Sequence, residues 1–238
     1  MTAAILFARE PVAGKVKTRM HSHLSPQQTA TVYSAFLQDS LGLLEHCDAS
    51  HKVVASADAE GLDGLRLLLD PSGARQLSFV VQQGTDLGLR MEKVLEEAFE
   101  KGAKRVVILG TDSPSLPIQS IDNALAELLK ADVVLGPCVD GGYYLIGVTA
   151  KAFDCSGDAL FRGIDWSTGS VLQQTVAAIS NAETDALGLK LLAPWYDVDH
   201  PQDAAFLRAH LEALSRAGER VADRSLAALR GLELPPPS

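Results

Sequence analysis

The stretch Val106 to Pro117, VVILGTDSPSLP, constrains the fold most. Its β-branched and aliphatic run has no polar alternation, which is the pattern of a parallel strand covered on both faces. The run stops at a carboxylate, and Pro114 and Pro117 then hold the chain extended until a helical pattern begins near Ile118. In open α/β sheets ligands lie beyond the carboxyl ends of the strands, which is where Asp112 stands. The competing reading is that Thr111, Asp112 and Ser113 cap the next helix, since Asp and Ser are ordinary N-cap residues.

A chain of 238 residues with 47% hydrophobic content can bury one large α/β core. We expect one domain over residues 1–230 and a frayed, Pro-rich tail over 231–238. The net charge of −9 argues against a nucleic-acid partner, because phosphates need a basic stripe. Cys47, Cys138 and Cys155 show no CxxC pattern, which suits a reducing cytoplasm. MTAAILFARE lacks the basic region of a signal peptide and reads as a first strand. No stretch approaches the roughly 18 apolar residues of a membrane span.

After that strand, Ala3 to Ala8, comes REPVAGKVKTRM. Pro11 and Gly14 disfavour regular structure, and Arg9, Lys15, Lys17 and Arg19 place four cations within eleven residues. A strand followed by a basic, glycine-containing loop suits a polyphosphate, held by backbone N–H groups and by Lys and Arg donors. It is neither a Walker loop nor GxGxxG. Alone it would read as a solvated basic loop. Ser25-Pro26 with Gln28 then opens a helix over about 26–46 as a capping box. Val53 to Ser56 and Leu77 to Val81 read as strands, and Gly61 to Leu69 as a short helix. Gln82 and Gln83 follow the third strand, where either amide could read a base edge; Asp86 caps a helix running from Leu87 to Phe99.

Arg105 to Leu109 is the strand of the opening stretch, followed by a helix from Ile118 to Leu129. Asp132 to Pro137 ends in GPCVDGGYYLIG, where Asp140-Gly141-Gly142 is either a hairpin turn or a site that lets backbone approach a ligand. Tyr143 opens the next strand. Trp166, Ser167 and Thr168 lie in a polar loop before the helix from Val171 to Ala178, and either hydroxyl could cap it. Leu189 to Ala193 is a late strand. It leads to YDVDHPQD, where Asp197 and Asp199 alternate and so face one side of an extended segment. Residues 201–230 form two helical segments broken near Gly218. The alternation of strands and helices makes a layered α/β domain with a mostly parallel sheet.

FAREPVAGKVKTRM, QQGTDLGLRM, LGTDSPSLP, GPCVDGGYYLIG, IDWSTGSV and YDVDHPQD together resemble a bacterial group of GT-A-like nucleotide-diphospho-sugar transferases and glycosyltransferases of the DUF2064 type. The likeness runs from about residue 3 to 207. It implies a GT-A fold, a Rossmann-like α/β/α sandwich with a mixed sheet. More distantly the pattern is similar to guanylyltransferases of the molybdenum-cofactor and phospholactate type. By that resemblance the loop after the first strand holds nucleotide phosphates with Arg9, Gly14, Lys15, Lys17 and Arg19, near Thr111. A divalent metal, Mg²⁺ or Mn²⁺, falls on Asp112 and Asp199. His200 and Gln202 depart from the relatives' pattern, and Asp112 stands without a DxD partner, so phosphates must complete the metal's shell.

The expected function is metal-dependent transfer from a nucleotide-activated donor. Glycosyl transfer from a nucleotide-sugar is preferred over nucleotidyl transfer from an NTP, because DGGYY and DWST suit a sugar-like acceptor. A noncatalytic nucleotide-binding domain is the third alternative. A small-molecule acceptor would enter near Gly141, Gly142, Tyr143, Trp166, Ser167 and Thr168, with Asp140 as base.

Overall fold

A computed structural model describes residues 1–180 and 187–236. Among the described residues seven strands form one sheet: β1 (Thr2–Ala8), β2 (His51–Ser56), β3 (Leu77–Val81), β4 (Arg105–Leu109), β5 (Val133–Pro137), β6 (Tyr143–Thr149) and β7 (Leu189–Leu191). Their order is β3-β2-β1-β4-β6-β5-β7. Only β6 runs against its neighbours, β4 and β5, so the sheet is mixed and mostly parallel.

Helices cover both faces: α1 (Pro26–His46), α2 (Leu62–Leu69), α3 (Leu87–Glu100), α4 (Ser120–Glu127), α5 (Ala150–Ser156), α6 (Val171–Ser180), α7 (Pro201–Ala217) and α8 (Asp223–Leu229). The pleat of β1 sends Ala4, Leu6 and Ala8 into one layer, with Phe36 of α1, Leu65 of α2, Ile121 of α4, Leu207 of α7 and Leu226 of α8. Ala3 and Ile5 point the other way, into a second layer with Leu95 of α3, Ala152 of α5 and Ile179 of α6. The central strands are covered on both sides, which is why they lack polar alternation.

The start of α1 follows from its capping box. Ser25 Oγ accepts from Gln28 N at 3.2 Å, Gln28 Oε1 accepts from Ser25 N at 2.8 Å, and Pro26 occupies the first turn. Gly218, at φ +74, ends α7 in the left-handed conformation that glycine adopts without steric cost. Three features depart from the sequence reading. A 3-10 turn spans Thr18–Ser22 inside the loop after β1, and α5 follows β6 without a separating turn signal. The expected tail makes contacts within 231–236: Leu232 and Leu234 pack on the first layer, and Arg208 Nη1 donates to the Leu232 carbonyl at 2.9 Å. Residues 237–238 of the expected tail lie outside the described residues. Among the described residues no helix is long and apolar enough to cross a membrane.

The β5–β6 connection is locked onto the loop before α6. Gly141 has φ +91, its carbonyl accepts from Leu172 N at 2.9 Å, and a Cβ there would stand 2.0 Å from the backbone oxygen of Gly169. Backbone cannot swing away as a side-chain end can. Gly141→Ala is therefore expected to lower stability by about 2–3 kcal/mol, from overpacking plus a strained φ, measured by urea unfolding.

Candidate active site

The carboxyl ends of β1, β3 and β4, the β5–β6 turn, the loop before α6 and the segment before α7 surround a cavity of about 750 Å³. Arg9, Lys15, Lys17 and Arg19 all line it. Gly14 does not; it serves the loop's shape, turning the chain at φ +82 while Lys15 N donates to the Val12 carbonyl at 3.0 Å. Lys17 also adopts a left-handed conformation, φ 45 and ψ 42, rare for a side chain with a Cβ. Its side chain, 6% exposed, explains why the chain holds that shape: Nζ lies 2.5 Å from Asp112 and 2.7 Å from Asp199. Arg19 reaches the other oxygen of Asp199 at 3.3 Å.

Asp112 and Asp199, 87 residues apart in the chain, thus converge on one cation-sized point. The Val198 N–H donates to the Asp112 carbonyl at 2.9 Å, pinning the segment before α7 against the end of β4. Asp203, in the first turn of α7, accepts from the backbone N–H groups of Asp199 at 3.0 Å and His200 at 2.7 Å. This bond pair orients Asp199 despite the departures at His200 and Gln202. Burial alone would push the Lys17 ammonium toward neutrality, but the charges of Asp112 and Asp199 outweigh it and raise its pKa. Asp199 is likewise penalised by burial, and Lys17 and Arg19 overcome that and lower its pKa.

Behind this cluster lies a residue the sequence reading did not single out. The Tyr33 hydroxyl on α1 accepts from Arg9 N at 3.3 Å and shares a 3.0 Å hydrogen bond with Thr111. Thr111 is 4% exposed and so supports the site from beneath while lining its wall. Tyr33 sits on the apolar face of α1, where spacing alone marks it as core.

A second group of carboxylates faces the same cavity. Asp140 Oδ1 accepts from Gly142 N at 2.9 Å, and ligand atoms of Cys138, Asp140 and Asp197 lie within 4.8 Å of one another. Asp197 shares a side with Asp199, as alternation predicts, but has different partners: Ser113 Oγ donates to it, and the Cys138 sulfur lies within 4.8 Å of it. Burial raises the Asp197 pKa to about 6, which the hydrogen bond from Ser113 only partly offsets. Burial also pushes the Cys138 thiol up, with Asp197 adding to it, so the sulfur stays protonated near neutrality.

Two hard carboxylate oxygens converging from Asp112 and Asp199 fit Mg²⁺ or Mn²⁺ better than a site containing a neutral thiol does. The fit comes with a rival, since Lys17 already occupies the point between them. The Asp197 shift has a sign of its own. Its folded pKa lies above the unfolded value of about 3.9, so the native state binds more protons between roughly pH 4 and 6. Stability therefore falls as pH rises through that window. Asp197→Asn is expected to flatten the fall and to stabilise the metal-free protein at pH 8 by about 1–3 kcal/mol, read from urea melts across pH 4–8.

Of the remaining expected residues, Gln82, Gly142, Tyr143, Trp166, Ser167 and Thr168 line the cavity; Gln83 and Gly141 do not. Tyr143 turns its hydroxyl inward toward Thr175, and burial raises its pKa. Tyr144 donates to the Ala193 carbonyl at 3.1 Å. Trp166 meets the Tyr143 ring edge to face, with centroids 6.5 Å apart. Its indole nitrogen lies 2.6 Å from where a Cβ on Gly88 would be, so α3 fixes its position. Thr168 Oγ1 donates to the Asp165 carbonyl at 2.7 Å, within its own loop. Arg90 of α3, which the sequence reading left without a role, adds a fifth cation to the wall and anchors through Nε to the Gly84 carbonyl at 3.2 Å.

The model of the DUF2064 family, uncharacterized proteins conserved in bacteria, matches residues 31–168, more than half of the chain. The chain belongs to this family. The matched region holds Gln82, Asp112 and the Asp140–Thr168 wall, while the basic loop and Asp199 fall outside it. A protein of Desulfovibrio desulfuricans G20, provisionally named a nucleotide-diphospho-sugar transferase, is 33% identical. Its crystal structure superposes with a TM-score of 0.83, covering 96% of this chain and 94% of the other. The 2-phospho-L-lactate guanylyltransferase of Methanothermobacter thermautotrophicus is 31% identical over 132 residues. That match spans about half of each protein, 53% of both. At 12% identity and a TM-score of 0.58, the 4-diphosphocytidyl-2C-methyl-D-erythritol synthase of Anaerococcus prevotii DSM 20548 shares the fold, covering 89% of this chain and 96% of its own. The DUF2064 chain thus has the mixed α/β fold of nucleotide-diphospho-sugar transferases and nucleotidyltransferases.

Proposed function

We propose that this protein is a metal-dependent transferase acting on the phosphates of a nucleotide, with nucleotidyl transfer from an NTP as its reaction. The carrying observation is the charge arrangement of the cavity. Lys17 and Arg19 are paired with Asp199, whereas the side chains of Arg9, Lys15 and Arg90 have no carboxylate within ion-pair distance among the described residues. Unpaired cations in one concave wall of a protein of charge −9 call for an anion of several charges. A polyphosphate supplies it.

A divalent ion held by Asp112 and Asp199, when bound, would neutralise charge on the leaving phosphates. The chain's own groups do the rest. Arg9, Lys15 and Arg19 hold the β- and γ-phosphates, and Lys17, released by the ligand from one carboxylate, faces the α-phosphate. An acceptor oxygen forms a bond to the α-phosphorus as the bond to the bridging oxygen breaks, and pyrophosphate leaves. The acceptor's proton passes to Asp140 at the mouth of the cavity.

Glycosyl transfer from a nucleotide-sugar is the second reading, favoured by the provisional name of the D. desulfuricans relative. It ranks second because the aromatic hydroxyls that suited a sugar acceptor face inward: Tyr143 toward Thr175, Tyr144 onto Ala193. A thermal-shift panel separates the two. NTPs with Mg²⁺ or Mn²⁺ are expected to raise Tm more than UDP- or GDP-sugars do. Stabilisation by a nucleotide-sugar and not by NTPs would reverse the order.

A further inference from the structure

Apart from the Lys17 cluster, the fold builds a second convergence of ligand atoms. Beyond β5 the chain pairs with the segment before α7: Trp195 N donates to the Pro137 carbonyl at 2.9 Å, and Val139 N to the Trp195 carbonyl at 3.1 Å. Asp197 is thereby carried to the side of Cys138. A turn then folds Asp140 back over the same point, with Cys138 N donating to the Gly142 carbonyl at 2.9 Å and Gly141 N to the Cys138 carbonyl at 3.1 Å. The Cys138 sulfur and one carboxylate oxygen each from Asp140 and Asp197 consequently lie within 4.8 Å of one another.

Two further observations point to a cation at this place. Asp112 and Asp199 share Lys17, whereas no cationic side chain among the described residues lies within ion-pair distance of Asp140 or Asp197. Carboxylates drawn together without a cation repel, and a divalent ion removes that cost. Cys138 is only 5% exposed, and among the described residues its thiol has no hydrogen-bond partner outside this trio. It is a buried ligand aimed at two oxygens. Each carboxylate is oriented by one outside donor, Gly142 N at 2.9 Å for Asp140 Oδ1 and Ser113 Oγ for Asp197 Oδ1, which leaves a second oxygen for an ion. Zinc bonds of about 2.3 Å to sulfur and about 2.1 Å to oxygen set ligand atoms about 3.5 Å apart, so side-chain rotations of about an ångström close the cage. Asp140 and Asp197 line the cavity and Cys138 lies beneath them, so a fourth coordination position opens to the ligand space.

The geometry points to a thiophilic divalent cation, Zn²⁺, bound by Cys138, Asp140 and Asp197 at a site distinct from the Mg²⁺ or Mn²⁺ carboxylates Asp112 and Asp199, and inhibiting turnover when bound. The sulfur discriminates, because thiolate favours zinc while Mg²⁺ takes oxygen ligands. The thiol proton passes to solvent as the zinc–sulfur bond forms. Zinc on Asp140 denies the acceptor its base. That inhibition rests on the transferase reading above; the binding does not.

The test is titration of the nucleotide-free chain with Zn²⁺ against a chromophoric chelator, and with Co²⁺ followed by absorption. One Zn²⁺ is expected to bind at least about 100-fold more tightly than Mg²⁺, and the Co²⁺ complex to show a thiolate-to-cobalt charge-transfer band. Cys138→Ser should lose that band and weaken Zn²⁺ by about tenfold or more, while Mn²⁺ affinity changes by less than about twofold. Asp140→Asn should also weaken Zn²⁺, which keeps the inference testable if the serine variant fails to fold. A cobalt complex without the band would overturn the site, and so would zinc binding that survives Cys138→Ser but is lost in Asp112→Asn. With NTP turnover as the readout, Cys138→Ser should need about tenfold more zinc for inhibition. Zinc bound to the wild type without inhibition would overturn the inhibitory role. Absence of turnover with any NTP would instead reject the transferase reading, with the zinc titration still deciding the site.

Discussion

Lys17→Met is expected to lower turnover by about 100-fold or more, because it removes the most buried cation of the proposed phosphate site. The stability cost should be smaller than the catalytic one, which at 100-fold is about 2.7 kcal/mol. Deleting one partner of a buried ion pair costs about 3–5 kcal/mol when a charge is left stranded. Here the remaining carboxylates can hydrate, since the side chains of Asp112 and Asp199 are 44% and 34% exposed. That discount brings the expected loss to about 1–2 kcal/mol. Lys17 also competes with a metal for the same two carboxylates. The variant should therefore bind Mn²⁺ more tightly than the wild type in the absence of nucleotide, measured by electron paramagnetic resonance titration. Weaker Mn²⁺ binding together with intact turnover would remove Lys17 from the site.

Asp112→Asn is expected to abolish metal-dependent turnover, a loss of about 1,000-fold or more, with the fold intact. Its carbonyl would still accept from Val198 N, so the join between β4 and the segment before α7 survives the substitution. Lys17 keeps Asp199 as a partner at 2.7 Å. The far-ultraviolet spectrum and Tm should thus stay close to wild type while turnover disappears. Undiminished activity in this variant would reject the metal assignment.

Much of this architecture is legible in the sequence, for reasons tied to particular residues. Arg105 to Leu109 announces β4 because both of its faces are buried, and the termini of α1 follow from Ser25, Pro26, Gln28 and the apolar spacing after them. Shorter elements have no such signal. The seven residues of α5 are too few to show a period, and the 3-10 turn at Thr18–Ser22 is stabilised by the loop's own hydrogen bonds and by Lys17's long-range ion pairs.

The site divides in the same way. Charge density marks the loop of Arg9, Lys15, Lys17 and Arg19, and strand ends mark Asp112. No local pattern reveals that Lys17 stands between Asp112 and Asp199, since the contact to Asp199 joins residues 182 apart. Tyr33 is hidden for another reason: its ring satisfies the helix's apolar face, and only its hydroxyl serves the site. Asp197 was visible as the alternate of Asp199, but its raised pKa depends on burial that sequence does not display.

The most direct measurement is a crystal structure grown with Mg²⁺ and the nucleotide that gives the largest thermal shift. Phosphates lying on Arg9, Lys15 and Arg19, with the ion on Asp112 and Asp199, are the expected result. A nucleotide bound outside this cavity, or phosphates that leave the Lys17 bridge and the basic loop untouched, would contradict it.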